Sequence, residues 1–428
     1  MQFGELVSAE WIGLGIITYL IISLILRSRK THIPVWSIMA FSAFITVITG
    51  LVSFDEVGLV IDIDVILFLI GMFSLVGLSE SSGLLSALSI WYISKFKNKH
   101  SLIYASSLLF GLLSAFAMND TVALMGPPIA YVISRAAGLD PKFMFLLLAY
   151  SLTIGSVMTP MGNPQNVLIA IQSGITAPFI QFILKLAIPT LINLIILPLI
   201  LIKIFKIRNG SVNVSLIPQE LIKDKRDALL AGLGLVATVV SLVVNDLLEL
   251  LSLPHVTHRG FIPFIIAAGT YLLSRNPRKV LASVDWGTIV FFMSMFITME
   301  GVWRSGILQP VLTFLLPSKL GGLESLLSAT ITSLIISQVL SNVPFVKLFI
   351  MFMKDVGYVS ADVSVWLTLA AMSTIAGNLT ILGAASNIIV LETLETRMNT
   401  TITFTEFSKI GLLVTIVNTL IYLAFLLA

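Results

Sequence analysis

The chain has 428 residues, 57% of them hydrophobic and 11% charged, with a mean hydropathy of +1.03. Soluble domains carry roughly 25% charged residues, so this composition excludes a water-soluble globule. The net charge of +3 excludes nothing by itself, whereas the lack of cysteine excludes disulfides and thiolate metal sites.

Apolar stretches long enough to cross about 30 Å of hydrocarbon begin at about 9–27, 34–52 and 62–82. The first lacks a basic start and a small-residue cleavage site and reads as a retained span. Residues 84–100 read as an amphipathic helix on the membrane surface, leading into a hydrophobic hairpin at about 101–137 with Asn119-Asp120-Thr121 at its tip. A span at 142–171 is interrupted by Pro160, Gly162 and Pro164, and another follows at 178–203. A polar linker at 207–227 precedes spans at 228–245, 260–274 and 285–301. A second hairpin at 323–358 carries Ser341-Asn342-Val343-Pro344 at its tip. The span at 362–392 is interrupted from Gly377-Asn378 to Gly383-Ala384-Ala385-Ser386-Asn387, and the last span covers 408–427.

The two halves repeat. A shift of 223 carries Asp62, Ile66, Phe68, Met72, Phe73, Ser82, Gly83 and Asn119 onto Asp285, Ile289, Phe291, Met295, Phe296, Ser305, Gly306 and Asn342. A shift of 221 carries Thr153, Ile154, Thr159, Gly162 and Asn166 onto Thr374, Ile375, Thr380, Gly383 and Asn387. Apolar repeats with polar interruptions at matching places are the sequence pattern of secondary transporters. The expected fold is therefore an all-α polytopic membrane protein. It has two inverted repeats, 1–206 and 228–428, each with five spans and a re-entrant hairpin, joined by the linker at 207–227. Parity turns the second repeat upside down. With the N-terminus outside, 19 of the 25 Lys and Arg residues fall on the cytoplasmic side, Arg27, Arg29, Lys30 and the linker among them. The expected orientation is both termini out.

The tips and breaks carry the chemistry. Polar backbone at membrane depth survives only where it is buried in protein or lines a cavity. Asn119, Asp120 and Thr121 at the first tip, and Ser341 or Asn342 at the second, are expected to cap the helices that follow, with Pro344 in a first turn where its missing N–H is harmless. Free N–H groups at such starts attract an anion or polar oxygen, while the carbonyls of the preceding arm suit a cation. Pro160 and Pro164 each remove a helical hydrogen bond, and small residues at 377–387 let the backbone approach a ligand. The expected substrate site comprises Asn119, Asp120, Thr121, Gly162, Asn163, Gln165, Asn166, Ser341, Asn342, Val343, Asn378, Thr380, Gly383, Ala384, Ser386 and Asn387. A lone Asn or Gly in a membrane helix is more often packing glue; recurrence in both halves lifts these residues above that reading. Gly126 with Pro127-Pro128 reads as a kink, Lys185 as a snorkelling side chain, and Glu80 and Glu300 as interfacial. Asp120 stands apart because an intramembrane carboxylate is expensive unless paired or used, and its counterpart is Val343. It is the expected proton- or cation-coupling group. No histidine falls in a span and no phosphate-binding loop is present.

The motifs Asn119-Asp120-Thr121, Gly162-Asn163-Pro164-Gln165-Asn166, Ser341-Asn342-Val343-Pro344, Ala376-Gly377-Asn378-Leu379-Thr380 and Gly383-Ala384-Ala385-Ser386-Asn387 resemble the ion transporter superfamily. The branch they resemble most is that of arsenite permeases and silicic acid efflux proteins, related to sodium/proton antiporters and to citrate and dicarboxylate carriers. The resemblance covers nearly the whole chain. It implies an elevator-type carrier, often a homodimer, that moves a small oxyacid or anion against Na+ or H+ and needs no other cofactor. Dicarboxylate carriers hold a Ser-Asn-Thr triplet at both tips; here Val343 replaces Thr, and Met118 and Asp120 flank Asn119. That departure favours the arsenite permease branch over sodium–dicarboxylate symport. Without cysteine, an arsenite ligand would be held as an oxygen-bearing solute. A sodium/proton antiporter, a sodium-coupled di- or tricarboxylate carrier, a passive channel and an intramembrane enzyme are the competing readings. The expected partners are the substrate, the lipid bilayer and a second copy of the chain, with no nucleic acid and no sign of a soluble ATPase partner.

Overall fold

The structure, a computed structural model, describes residues 8–29, 33–212, 221–315, 319, 321–398 and 400–427. Lys30 and residues 213–220 of the expected linker lie outside the described residues.

Helices follow the apolar stretches. The first half contains α1 (Ala9–Arg29), α2 (Val35–Ile48), the short α3 (Val57–Val60), α4 (Ile63–Ser81), α5 (Leu84–Ile93), α6 (Lys99–Ala117), α7 (Asn119–Ala137), α8 (Pro141–Gly155), α9 (Pro164–Gln172) and α10 (Pro178–Phe205). The second contains α11 (Lys225–Leu250), α12 (Phe261–Leu273), the short α13 (Pro277–Ala282), α14 (Trp286–Arg304), α15 (Gln309–Leu315), α16 (Gly322–Leu340), α17 (Asn342–Asp355), α18 (Val363–Ile375), α19 (Ala385–Met398) and α20 (Phe404–Leu427). Among the described residues, 8 helices are long and apolar enough to cross a membrane. The protein is an all-α, multi-pass membrane protein.

Two differences from expectation are physical. The amphipathic segment is not one helix to residue 100: α5 stops at Ile93, and the Asn98 side chain accepts from the N–H groups of His100 and Ser101 to start α6. Helices α2 and α12 are shorter than the expected spans, at 14 and 13 residues. At 1.5 Å per residue each covers only about 20 Å, so the flanking loops supply the remaining thickness.

The helices pack in two groups. In one, α2 lies on α14 and α4 on α12, with α1 and α11 alongside, so each of these early spans packs on a helix of the other half. Close approach makes this possible: a Cβ on Gly71 would stand 2.4 Å from the Pro263 backbone carbon. The other group joins the hairpin α6–α7 and helices α8, α9 and α10 to α16, α17, α18, α19 and α20. Helix α11, in the first group, turns its large apolar side chains outward. Its buried stripe is Asp227, Ala228, Ala231, Gly234, Thr238, Leu242, Asn245 and Asp246, in which Leu242 alone is large and apolar, while Leu229, Leu233, Val236, Val240, Val244 and Leu247 are exposed. Small and polar residues face helices and apolar ones face outward, the arrangement that lipid selects.

Ion pairs link the ends of several elements: Lys142 with Glu406, Arg304 with Glu56, Lys319 with Asp362, and Arg259 with Asp246 and Glu249. A backbone bridge joins Asn98 to Ser211. The Asp246 and Glu249 carboxylates also accept the Ile180 and Ala177 N–H groups (3.1 and 2.8 Å), closing the start of α10. The sequence reading missed this anchor.

Candidate functional site: hairpin tips and broken helices

Both hairpins turn the same way. The arm α6 ends at Ala117, Met118 adopts φ 63°, ψ 136°, and α7 starts at Asn119. In the second hairpin α16 ends at Leu340, Ser341 adopts φ 68°, ψ 156°, and α17 starts at Asn342. A left-handed φ at a residue other than glycine costs about 1–3 kcal/mol, so the surrounding fold enforces it. This corrects the capping expectation at the first tip, where Met118 holds the cap position and Asn119, Asp120 and Thr121 lie inside the first turn. At the second tip Ser341 holds the cap position, as one of the two expected residues, and Asn342 lies inside the first turn. Neither Met118 nor Ser341 makes a side-chain cap bond, and among the described residues no side chain caps the first-turn N–H groups of either tip. Pro344 does sit in a first turn, as expected.

The broken helices match with the same fidelity. After α8 and α18 come single 3₁₀ turns, Ser156–Met158 and Ala376–Asn378, then a second pair, Pro160–Gly162 and Ile381–Gly383. Extended residues separate them at corresponding places: Thr159 (φ −134°, ψ 156°) with Thr380 (φ −139°, ψ 158°), and Asn163 (φ −155°, ψ 158°) with Ala384 (φ −144°, ψ 140°). The same amide staples each break. Asn166 Nδ2 donates to the Ser156 and Thr159 carbonyls (3.1 and 3.2 Å). Asn387 Nδ2 donates to the Gly377 and Thr380 carbonyls (2.7 and 3.4 Å), each 221 residues on. Gly162 is demanded by space: a Cβ there would stand 2.2 Å from the Ser156 carbonyl oxygen.

The breaks meet across the halves. Asn163 Nδ2 donates to Thr374 Oγ1 at 3.1 Å and Gln165 Nε2 to the same hydroxyl at 3.4 Å. Asn163 Oδ1 accepts the Asn166 N–H. Thr159 Oγ1 donates to the Ala115 carbonyl of the first hairpin. In the second half, Thr380 Oγ1 donates to Gln338 Oε1 at 2.9 Å, and Gln338 Nε2 donates to the Ala376 carbonyl at 2.8 Å. Thr374 and Gln338 are site residues that sequence reasoning did not select. The signal for Thr374 was available, since it matches Thr153; Gln338 has only Ala115 opposite it and gave none.

The halves differ in what is left unpaired. In the first break Asn163, Gln165 and Asn166 are buried and hydrogen-bonded. In the second, both amide atoms of Asn378, the Ser386 hydroxyl and Asn387 Oδ1 are buried without a protein partner. At the tips, Asn119 Oδ1 and Asn342 Oδ1 are in the same condition. Buried polar atoms are almost always satisfied, so unpartnered amides and a hydroxyl gathered on matching elements mark a place for a ligand or water. Gly383 and Ala384 are buried around them, and Ser341, Val343 and Thr380 are half-buried. Thr121 is buried; Asp120 is half-buried, accepts no hydrogen bond among the described residues, and has Asp285 as the charge acting on it.

A second polar seam went unread in the sequence. A shift of 225 carries Thr190 and Asn193 onto Thr415 and Asn418, in the last span of each half. Helices α10 and α20 pack together, with Thr190 Oγ1 and the Tyr422 hydroxyl 2.8 Å apart. A cleft of about 370 Å³ lies away from this seam, lined by Glu56, Asp62, Gln172, Glu300, Arg304 and Lys347.

Comparison with known proteins agrees with this architecture. An uncharacterised transporter of Mycobacterium tuberculosis is 27% identical to the chain over 84% of each sequence. The silicon efflux transporter LSI3 of Oryza sativa is 26% identical, covering 82% of this chain and 83% of its own. The crystal structure of the Alcanivorax borkumensis YdaH transporter superposes with a TM-score of 0.55 at 14% identity, covering 84% of each chain. The citrate transporter family, CitMHS, matches residues 17–371. Helices long and apolar enough to cross a membrane, two matching unwound pairs and a family match over most of the length lead to one conclusion: this chain is a membrane transporter of the citrate transporter family, within the ion transporter superfamily.

Proposed function

We propose that the protein is a secondary active carrier of a small oxyacid or anion, of the arsenite-efflux type, coupled to proton or sodium exchange. The observation that carries this reading is the set of unpartnered oxygens and amides at Asn119, Asn342, Asn378, Ser386 and Asn387. Such groups donate to and accept from a hydroxylated solute, and no thiol is present to bind arsenic or another soft centre. The silicon efflux relative supports an oxyacid. Uncapped helix starts at both tips add positive partial charge for an anionic form.

The group holding the hairpins would slide as an elevator against the group of α1, α2, α4, α11, α12 and α14. The units 1–206 and 228–428 would act as inverted repeats about the 207–227 linker, in the plasma membrane with both termini outside. A second reading, sodium/proton antiport, is favoured by the Asp120 carboxylate, which accepts no protein hydrogen bond. A third, di- or tricarboxylate transport, is favoured by the family match.

The test is flux into proteoliposomes for arsenite, antimonite, citrate, sulfate and sodium, each with and without a pH gradient. Saturable arsenite or antimonite flux driven by the gradient is expected. Sodium flux alone would move the assignment to the antiporter, citrate flux alone to the carboxylate carrier, and non-saturable flux to a channel.

A further inference from the structure

The cleft of about 370 Å³ lies where the two helix groups meet, on the face that holds Asp62. Lys347 enters it from α17, five residues after Asn342. Its ammonium makes no ion pair within 4 Å among the described residues. It donates to Gln172 Oε1 at 3.3 Å and stands 5.5 Å from the centre of the Phe296 ring. Gln172, the last residue of α9, donates in turn from Nε2 to Asp62 Oδ2 at 2.7 Å. Asp62 is fixed, because its other oxygen accepts the Val65 N–H as the cap of α4. An unbroken chain thus runs from the arm of the second hairpin, through the end of the first broken helix, to the opposite helix group.

The other face has no such chain. The matched positions are Asp285, Thr393 and Leu124. Asp285 uses its carboxylate within its own first turn, on the Thr288 N–H and hydroxyl (3.0 and 2.6 Å). Thr393 donates to the Ile389 carbonyl, and Leu124 is 59% exposed. Two matched halves by themselves favour two end states of similar energy. A contact present on one face alone breaks that balance.

We propose that Lys347 and Gln172 are positioning residues that latch the second hairpin to the frame at Asp62, holding the Asn342 site shut on that face at rest. The latch rests on the carrier reading above, yet it can be tested without measuring flux. The chain lacks cysteine, so Val343→Cys introduces a single reporter one turn before Lys347 on the same helix face. The readout is the rate of modification by an impermeant maleimide in vesicles that present the Asp62 face. Leu59→Cys, at an 86% exposed position, reports which face that is.

Hydrogen bonds to charged groups shift such equilibria by about tenfold or more. Lys347→Met and Gln172→Leu are each expected to speed modification of the reporter by about tenfold, and Lys347→Arg to keep it slow. Asp62→Asn, which retains the α4 cap, guards against a folding artefact and is expected to give a smaller rise. Unchanged rates in Lys347→Met and Gln172→Leu overturn the latch, as does a Lys347→Arg rate equal to that of Lys347→Met. A wild-type chain that moves none of the solutes, with these ratios intact, sinks the carrier reading and leaves the latch standing.

Discussion

At the scale of single residues, the amides of the site divide into builders and binders. Asn166 and Asn387 each tie two carbonyls of an unwound turn. Truncating either leaves buried carbonyls bare, at about 1–3 kcal/mol. Asn166→Ala and Asn387→Ala are therefore expected to lower the melting temperature in detergent. Equal melting of either variant and the wild type would contradict the staple role. Asn342 is different because its Oδ1 has no protein partner to abandon. Asn342→Ala should raise KM for the transported solute with little change in melting temperature. Asp120 is different again: it accepts no hydrogen bond and lies inside the first turn of α7. Asp120→Asn keeps the shape and removes titration, so folding should survive while gradient-driven transport stops. Native flux with an unchanged pH profile would reduce Asp120 to a bystander.

At the scale of elements, helix starts are anchored by carboxylates in two ways. Arg259 pairs with Asp246, which is fully buried, and with Glu249, and both acids accept N–H groups at the start of α10. Removing one partner of a buried ion pair costs about 3–5 kcal/mol because the other charge is stranded. Arg259→Leu should thus lose stability on that scale in a denaturation series, and a loss below about 1 kcal/mol, typical of an exposed pair, would show that water already screens the cluster. At the start of α11, by contrast, Asp224 is only half-buried. The Asp227 N–H holds its carboxyl below the usual carboxylate range, helped by the Arg226 N–H, Arg275 and Lys279. A lowered folded pKa contributes stability above the ordinary carboxylate range that is lost as pH falls through the folded value. Proteolysis near residue 224 should accordingly accelerate on acidification in wild type. It should be less sensitive to acid in Asp224→Ala.

At the scale of the whole molecule, two expectations concern placement. Nineteen of the 25 basic residues fall on one side when both termini are set outside. Ser211 is exposed and bridges Asn98 on the side that this orientation assigns to the cytoplasm. A cysteine at Ser211 should resist an impermeant reagent applied outside cells; ready labelling from outside would reverse the orientation. An elevator also needs a stationary frame, which a second copy docked on the first helix group would provide. Mass measurement in nanodiscs is expected to give a dimer, and a fully active monomer would remove that requirement.

The sequence by itself determined where the apolar helices, the two tips and the two breaks fall. These features are local: apolar length sets a helix, and Pro160, Gly162 and Pro164 in the first half and Gly377 and Gly383 in the second weaken the helix where they stand. Shifts of 223 and 221 also matched the two tips and the two breaks without any knowledge of contacts. Only the tertiary structure decided which side chains serve the backbone and which remain free. The left-handed turns at Met118 and Ser341, which no local preference of Met or Ser favours, are imposed by the packing of the hairpin arms. The meeting of Asn163 with Thr374, the reach of Gln338 to Thr380 and the chain from Lys347 through Gln172 to Asp62 join residues 42 to 211 positions apart. Hydrogen-bond partners at such separations depend on how helices cross, and crossing is settled by close approach at residues such as Gly71 and Gly155 rather than by any local signal.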